Sequence, residues 1–318
     1  MIKVVVLDGR VINPGDVQWQ LDLPNVNVEI YEATPNNQIL KRSQDADYLI
    51  INKVVLGEEH LQQLPQLKAI LLTATGYNNI DIKTARKHGV DVCNVVGYGS
   101  TAVAQHVFAL ILKITNEVAL HARSVAQGEW TKKDVWCYWL SEVTELSGKT
   151  LGIYGYGVIG REVAKIGLAF GMRVIAYRRS DGPSDLIGVK MVDFDQLIAE
   201  SDFLSLHAPL SAANQGVINR DVFSKMKSTA ILINTGRGGL INEADLANAL
   251  KEEAIAGAAL DVLSEEPPSQ GHPLIGLPRC IISPHMAWVA RESRQRLLDM
   301  VGRNLKAHIN GHPINVVN

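Results

Sequence analysis

Cysteine is scarce. Cys93, Cys137 and Cys280 are the only three in 318 residues, far apart and odd in number. That excludes a disulfide framework and a thiolate metal site, and it suits a reducing cytoplasm. Each cysteine reads as a small buried hydrophobe. An excess of one charge is also missing: 31 Lys and Arg stand against 33 Asp and Glu, with no basic block or acidic tail. Nothing here marks a nucleic acid or a membrane surface as a partner. No window approaches about 18 uninterrupted apolar residues, so no membrane span is expected. The opening MIKVVVLDG has a short apolar run ending in Asp8-Gly9, which fits a first strand rather than a signal peptide. There is no internal repeat, no low-complexity segment, no metal-ligand cluster and no G-x-S-x-G nucleophile loop.

What is present is globular, with 47% hydrophobic and 20% charged residues in a chain long enough for two domains. In the first hundred residues the apolar runs are KVVVLDG, VNVEIYE, DYLIINK, LKAILLTATG and VDVCNV. LKRSQDA, GEEHLQQL and DIKTARKHG, which read as helices, separate them. Buried parallel strands joined by helices give this pattern, so the class is α/β. A long helix is predicted from about Thr101, through TAVAQHVFALILKITNEVALHARSVAQG. Its apolar positions cover more than one face, which suits packing between domains or subunits. A second alternating series then runs TLGIYG, RVIAY, VKMVDF, DFLSLHAPL, AILINTGRG, AIAGAALDV and CIISPH. The tail ARESRQRLLDMVGRNLKAHING is one amphipathic helix with no sheet of its own.

Gly155-Tyr156-Gly157-Val158-Ile159-Gly160 matches G-x-G-x-x-G. The motif is weak alone, but here it follows a strand and opens a helix, the context in which a helix N-terminus receives a pyrophosphate. Roughly 20 residues on, a carboxylate normally reads the adenosine ribose. That acid is lacking. The second strand ends in Tyr177-Arg178-Arg179-Ser180. Arginine offers a fork of donors to a 2′-phosphate, so NADP(H) is preferred, with NAD(H) also accepted. Two solvated surface arginines would give the same letters.

Ligands of open parallel sheets bind beyond the carboxyl ends of strands. Arg237, Glu266 and His285 all follow strand runs, and together they suit hydride exchange between a carbinol and a ketone beside a carboxylate. His is the commonest acid/base near neutral pH, a neighbouring carboxylate favours its protonated form, and a guanidinium binds the substrate carboxylate. Glu265 competes with Glu266. His207 is the rival base, although its His-Ala-Pro turn suits lining a cofactor site. His60, His88, His106, His121, His272, His308 and His312 read as surface or packing residues.

Together these residues resemble the D-isomer-specific 2-hydroxyacid dehydrogenase family along nearly the whole chain. The likeness runs through ATGYNNID (Ala74–Asp81), TLGIYGYGVIG (Thr150–Gly160), LHAPL (Leu206–Leu210), INTGRGGLINEADL (Ile233–Leu246), GAALDVLSEEPP (Gly257–Pro268) and SPHMAW (Ser283–Trp288). DVWCYW (Asp134–Trp139), Trp288 and the ending GHPINVVN look most like the family's bacterial glycerate dehydrogenases, also called hydroxypyruvate reductases.

The resemblance implies two Rossmann-like or flavodoxin-like parallel-sheet domains with the active site in the cleft between them. The substrate domain would be 1–98 plus 288–318, the dinucleotide domain 99–287, and the C-terminal helix would return to the first. Arg237, Glu266 and His285 match the family's catalytic arginine, acid and histidine; Glu266 is preferred because the family's acid directly precedes the proline. Thr75, Gly76 and Tyr77 match the backbone that receives the substrate carboxylate, with Trp288, Met286 and Trp139 as further pocket walls. Thr101, Tyr156, Val158, Ile159, His207, Ala208, Pro209, Thr235, Gly236 and Asp261 match cofactor contacts. Family members are usually homodimers, and the DVWCYW loop either reaches the partner's active site or packs in its own core. Arg178-Arg179-Ser180 looks like the Ser-Arg-Thr pattern of NADPH-preferring glyoxylate/hydroxypyruvate reductases. The expected function is a cytoplasmic reductase of a short 2-oxoacid, hydroxypyruvate to D-glycerate or glyoxylate to glycolate. A bulkier 2-oxoacid is the alternative within the family. A dinucleotide-sensing, corepressor-like binding protein is the alternative outside it, and such proteins usually carry interaction segments that this sequence lacks.

Overall fold

The computed structural model describes residues 1–180 and 182–318. They form two compact units, Met1–Gly99 with Trp288–Asn318, and Ser100–Ala287. The chain crosses between them twice, after Gly99 and after Ala287.

The first unit begins with β1 (Ile2–Val6), β2 (Val26–Ile30), α1 (Ile39–Ser43), β3 (Tyr48–Ile51), α2 (Glu58–Leu61), β4 (Ala69–Leu72), α3 (Ile82–Lys87) and β5 (Asp91–Cys93). The sheet order is β2-β1-β3-β4-β5, all parallel. Side chains alternate across each strand. Val5, Leu7, Leu49, Ile51, Ile70, Leu72 and Val92 fall in one core. Val4, Val6, Tyr48, Ile50, Ala69, Leu71 and Cys93 fall in another. Both faces are dry, which is why the strands read as continuous apolar runs.

The second unit holds α4 (Ser100–Asn116), α5 (Val118–Ala126), β6 (Thr150–Tyr154), α6 (Val158–Ala169), β7 (Arg173–Tyr177), β8 (Val189–Met191), α7 (Phe194–Glu200), β9 (Phe203–Leu206), α8 (Arg220–Lys225), β10 (Ile231–Asn234), α9 (Glu243–Lys251), β11 (Gly257–Leu260) and β12 (Cys280–Ile282). Its parallel sheet runs β12-β11-β10-β9-β6-β7-β8. From β6 the chain winds outward to β8, crosses back to β9 beside β6, and winds outward the other way. The switch point therefore lies between β6 and β9. The expected two-sheet α/β class is the observed one.

The long helix predicted from Thr101 is instead two helices, α4 and α5, bent by 56° at Glu117, whose φ is +44°. Ala104, Val107, Phe108, Leu110 and Ile111 of α4 lie in a core with β6, β7 and α6 residues. In α5 only Ser124 is buried. The bend comes where the apolar stripe ends. Among the described residues no single helix is long and apolar enough to cross a membrane, and this bent pair passes only by length and composition.

The chain ends with α10 (Arg291–Ile309). Its Leu297, Leu298, Val301 and Leu305 are fully buried on the second face of the first unit's sheet. Each such side chain is worth about 2 kcal/mol. This apolar stripe explains why a helix without its own sheet returns to the first unit.

Candidate active site

Strand register sets the site of the second unit. Tyr177 pairs with Tyr154, Tyr154 with Leu206, Leu206 with Asn234, Asn234 with Leu260, and Leu260 with Ile282. Six parallel strands therefore end in one row. The segments that leave this row begin at Arg178, Gly155, His207, Thr235, Asp261 and Ser283.

The three motif glycines have three different surroundings. Gly155 has φ +100°, and a Cβ on it would lie 2.3 Å from the Ala208 nitrogen, so the turn fits against the exit of β9 only without a side chain. A Cβ on Gly160 would lie 2.5 Å from the Gly155 oxygen. A Cβ on Gly157 would meet nothing within 4 Å, and this residue caps α6. The first-turn N–H groups of α6, including those of Val158 and Ile159, border that open space, as a phosphate requires. The residues present thus fit a dinucleotide. The Tyr156 side chain is 2% exposed, and its hydroxyl lies 2.8 Å from the Ser184 Oγ, so only its backbone faces the loop.

Arg178 bends over its own loop, donating from Nε to the Ser180 oxygen and from Nη2 to the Pro183 oxygen, both at 3.2 Å. Arg179 and Ser180 are exposed. The Tyr177 ring stacks on Tyr154. Thr101 is exposed in the first turn of α4, Pro209 is exposed and Thr235 is buried. His207 Nε2 lies 2.8 Å from the Ser205 Oγ and Nδ1 lies 3.5 Å from the Thr235 Oγ1. Desolvation pulls the His207 pKa down to about 3, which makes it a neutral imidazole at ordinary pH. A neutral ring cannot donate the proton that a reduction needs.

His285 Nδ1 lies 2.5 Å from Glu266 Oε2, and each side chain is about a third exposed. Glu266, not Glu265, is the carboxylate that meets the imidazole. Its other oxygen accepts from the Leu263 N–H at 3.0 Å, which fixes the carboxylate plane. Arg237 is exposed just after β10, with Nη1 2.8 Å from the Gly236 oxygen. Its turn is held by Asn234, which is fully buried. That side chain accepts from the Gly236 N–H at 3.0 Å and donates to the Arg237 oxygen at 2.9 Å. The next residue, Gly238, touches the loop that carries Glu266: a Cβ there would lie 1.9 Å from the Leu263 carbonyl carbon.

Asp261, expected among cofactor contacts, is 1% exposed, and its carboxylate is occupied by the protein. Oδ1 accepts from the Ser283 hydroxyl at 2.5 Å and the Met286 N–H at 2.9 Å, and Oδ2 from the Ala287 N–H at 2.8 Å. Its main-chain oxygen accepts from the His285 N–H at 2.8 Å. The His285 turn is wrapped around this residue, with His285 itself at φ +52°. Burial pushes the Asp261 carboxyl up. Hydrogen bonds from His106, Ser283, Ala287 and Met286 outweigh burial and hold it below its ordinary 3.8.

Several functional neighbours were not expected. His106, read as a surface or packing residue, has Nε2 3.0 Å from the Ser283 Oγ. His272 is buried, with Nε2 3.2 Å from Glu243 Oε2. Glu243 also accepts from the Ser264 N–H at 2.8 Å and from its hydroxyl, anchoring the start of the Glu266 loop. Only Asn234 gave a sequence signal, as a polar residue on an otherwise buried stretch. Two expectations fail on exposure. Trp136 is 88% and Trp139 71% exposed, so DVWCYW is not packed in the unit's core. Cys137 within it is exposed rather than buried.

In the first unit the switch point lies between β1 and β3, and the chain fills it with its own carboxylate. Asp8 accepts from the N–H groups of Asn52, Lys53 and Val54 at 2.6–3.0 Å. The loop after β4 carries Thr75, Gly76 and Tyr77. Thr75 donates its hydroxyl to the Val95 oxygen at 2.7 Å, and Asn94 donates to the Thr75 oxygen at 2.8 Å. Among the described residues the backbone N–H groups of Thr75, Gly76 and Tyr77 donate to no protein acceptor. Trp288 packs edge-on against Tyr98.

Residues 108–287 match the family described as D-isomer specific 2-hydroxyacid dehydrogenase, NAD binding domain. A hydroxypyruvate reductase of Blautia hydrogenotrophica is 39% identical over 321 residues, covering all of both chains. A glycerate dehydrogenase of Methylorubrum extorquens is 37% identical, covering 99% of this chain and 98% of the relative. The crystal structure of the TT0316 protein of Thermus thermophilus superposes with a TM-score of 0.86 at 32% identity, both chains fully covered. The chain belongs to the D-isomer specific 2-hydroxyacid dehydrogenase family. It is thus an oxidoreductase acting on a CH–OH group with a nicotinamide dinucleotide. An acyclic imino acid reductase solved with NADPH and D-Arg has the same fold, with a TM-score of 0.83 at 28% identity over the full length of both chains.

Proposed function

We propose that the chain is an NADP(H)-favouring reductase of a short 2-oxoacid, with hydroxypyruvate or glyoxylate as its first substrates and NAD(H) as a second cofactor. The His285–Glu266 pair carries this reading: an imidazole and a carboxylate 2.5 Å apart, on the strand-end row that also presents the glycine loop and Arg237. The nicotinamide, when bound, supplies or accepts the hydride. With Nδ1 held by Glu266, His285 passes its proton at Nε2 to the C2 oxygen in reduction and takes it back in oxidation. Glu266 keeps the ring oriented and stabilises the imidazolium. Arg237 binds the substrate carboxylate and polarises the carbonyl. On the first unit, Thr75, Gly76 and Tyr77, whose backbone N–H groups donate to no protein acceptor among the described residues, are our candidates for carboxylate binding, with the Tyr77 and Trp288 side chains as further candidate substrate contacts. Gly157 and the first turn of α6 take the pyrophosphate, while Thr101, His207–Pro209, Thr235 and Gly236 line the rest of the dinucleotide.

Cofactor choice rests on Arg178, Arg179 and Ser180. Arg178 engages Nε and Nη2 with carbonyl oxygens, leaving further N–H donors for a 2′-phosphate. The names borne by the relatives, among them a glyoxylate reductase of Thermococcus litoralis at 39% identity over 90% of this chain, support the substrate class. Substrate domain is our assignment for the first unit and dinucleotide domain for the second. We also assign a cytoplasmic homodimer, supported by three free cysteines and by the exposed Trp136, Trp139 and Leu140.

His285→Asn is expected to lower kcat on the order of 10²–10⁴-fold with dinucleotide binding intact. Turnover at the native rate would sink the acid/base role. A panel of 2-oxoacids followed by NADPH and NADH absorbance tests the rest: Arg178→Asp should shift kcat/KM toward NADH, and an unchanged ratio removes the phosphate role.

A further inference from the structure

The Ser283 hydroxyl has one proton and two close polar neighbours, with the Leu260 oxygen more distant at 3.5 Å. It lies 2.5 Å from Asp261 Oδ1 and 3.0 Å from His106 Nε2. Asp261 is a carboxylate that already accepts two backbone N–H groups, so it has no proton to give. At 2.5 Å two bare oxygens would repel; Ser283 must donate to Asp261. Its oxygen is then only an acceptor toward His106, so His106 carries its proton on Nε2. The same Nε2 lies 3.4 Å from Asp261 Oδ1. Donation therefore runs in one direction, from His106 to Ser283 to Asp261.

Asp261 is what the His285 turn is wrapped around, through the N–H groups of His285, Met286 and Ala287. The network also joins both ends of the second unit. His106 stands on α4, which opens the unit at Ser100, and Ala287 closes it. We propose that His106 is a positioning residue for His285: through Ser283 and Asp261, its Nε2–H fixes the turn that aims the imidazole at the substrate oxygen. The inference rests on His285 being the acid/base. In this role His106 acts through its neighbours and not on the reacting atoms. The competing possibility is that the ring merely fills space between α4 and the segment that carries Ser283.

Two substitutions separate these cases. His106→Phe keeps the ring volume and removes the N–H; His106→Gln places an amide donor near the Nε2 position. In the enzyme saturated with NADPH and 2-oxoacid, His106→Phe should lower kcat about tenfold with both KM values unchanged, since loss of aim costs rate rather than affinity. His106→Gln should recover most of that loss. Unchanged dinucleotide-binding stoichiometry shows that folded enzyme has not been lost. Ser283→Ala should match His106→Phe, and the double variant should fall no further, because both residues act through one path. Wild-type kcat in His106→Phe, equal losses in the Phe and Gln variants, or additive losses in the double variant each overturn the proposal. Should His106→Phe not fold, His106→Gln with Ser283→Ala and their combination carry the same test: Ser283→Ala alone must be slow and the combination no slower. His285→Asn, measured alongside, separates the two readings. If it retains turnover, the acid/base assignment falls and this proposal with it. If it is inactive while His106→Phe is fully active, only the role of His106 falls.

Discussion

Gly155 and Gly157 look alike in sequence and should fail in opposite ways when replaced by Ala. At Gly155 the backbone sits at φ +100°, a conformation that costs an L-residue about 1–3 kcal/mol. The new Cβ would also lie 2.3 Å from the Ala208 nitrogen and 2.7 Å from its Cα, both backbone atoms that cannot rotate away. Overpacking of this kind adds about 1–3 kcal/mol. Together these give about 2–6 kcal/mol, and at 2–4 °C per kcal/mol for a unit of this size the melting temperature should drop by about 4–24 °C. Gly157 has ordinary φ −96° and open space around its Cβ direction. Its loss as an N-cap costs only about 0.5–1 kcal/mol. A methyl there instead occupies the open space proposed above for the pyrophosphate. Thermal melts of the dinucleotide-free protein and titration with NADPH check both. Gly155→Ala should melt early, whereas Gly157→Ala should melt near the wild-type temperature and bind NADPH at least about tenfold more weakly, a loss of about 1.4 kcal/mol. Native NADPH affinity in Gly157→Ala would refute the placement of the phosphate, and a native melt for Gly155→Ala would refute the close approach of β6 and β9.

Two further outcomes follow from the same site. Gly238→Ala puts a Cβ 1.9 Å from the Leu263 carbonyl carbon, which forces the Arg237 turn and the Glu266 loop apart by roughly 1 Å or more; steady-state rates should show kcat down on the order of 10²-fold. The Asp261 carboxyl is depressed in the folded state, so its contribution to stability is present above 3.8 and is lost as pH falls through its lower folded value. Acid melts should therefore show a steep loss of stability below that point, and Asp261→Asn should have a flatter acid limb although it is less stable at neutral pH. An acid limb as steep as wild type in Asp261→Asn would assign the titration to other carboxylates.

The legible part of this protein was the part written in local pattern. Continuous apolar runs gave the two parallel sheets, because strands dry on both faces leave no polar alternation. Strand-end position singled out Arg237, Glu266 and His285, and the structure brings the last two together. What the sequence hid was long-range or turned on a single backbone angle. His106 and Ser283 are separated by 177 positions, and no periodicity says which histidine of a helix faces inward to meet a serine. The Glu243–His272 pair joins a helix start to a loop, and neither side carries a motif for it. The bend at Glu117 depends on one residue adopting φ +44° where the apolar stripe runs out. Exposure of Trp136 and Trp139 contradicts the ordinary preference of aromatics for the interior, so composition could not disclose it.

The hidden residues have a common physical task. Each of the three strand-end side chains stands on a turn that would otherwise leave backbone N–H groups unsatisfied, and in each case a polar side chain accepts from them. Asn234 does so for the Gly236–Arg237 turn, Glu243 for the Ser264 start of the Glu266 loop, and Asp261 for Met286 and Ala287 after His285. A buried acceptor fully supplied with donors gives rigidity, and one missing a donor is costly, so each turn has essentially one low-energy shape. Hydride and proton must reach adjacent atoms of one substrate, and an error near 1 Å costs as much rate as losing a functional group. Asn234 and Asp261, buried at the strand ends, and the half-buried Glu243 supply that rigidity, while the reacting side chains remain partly exposed to meet their ligands.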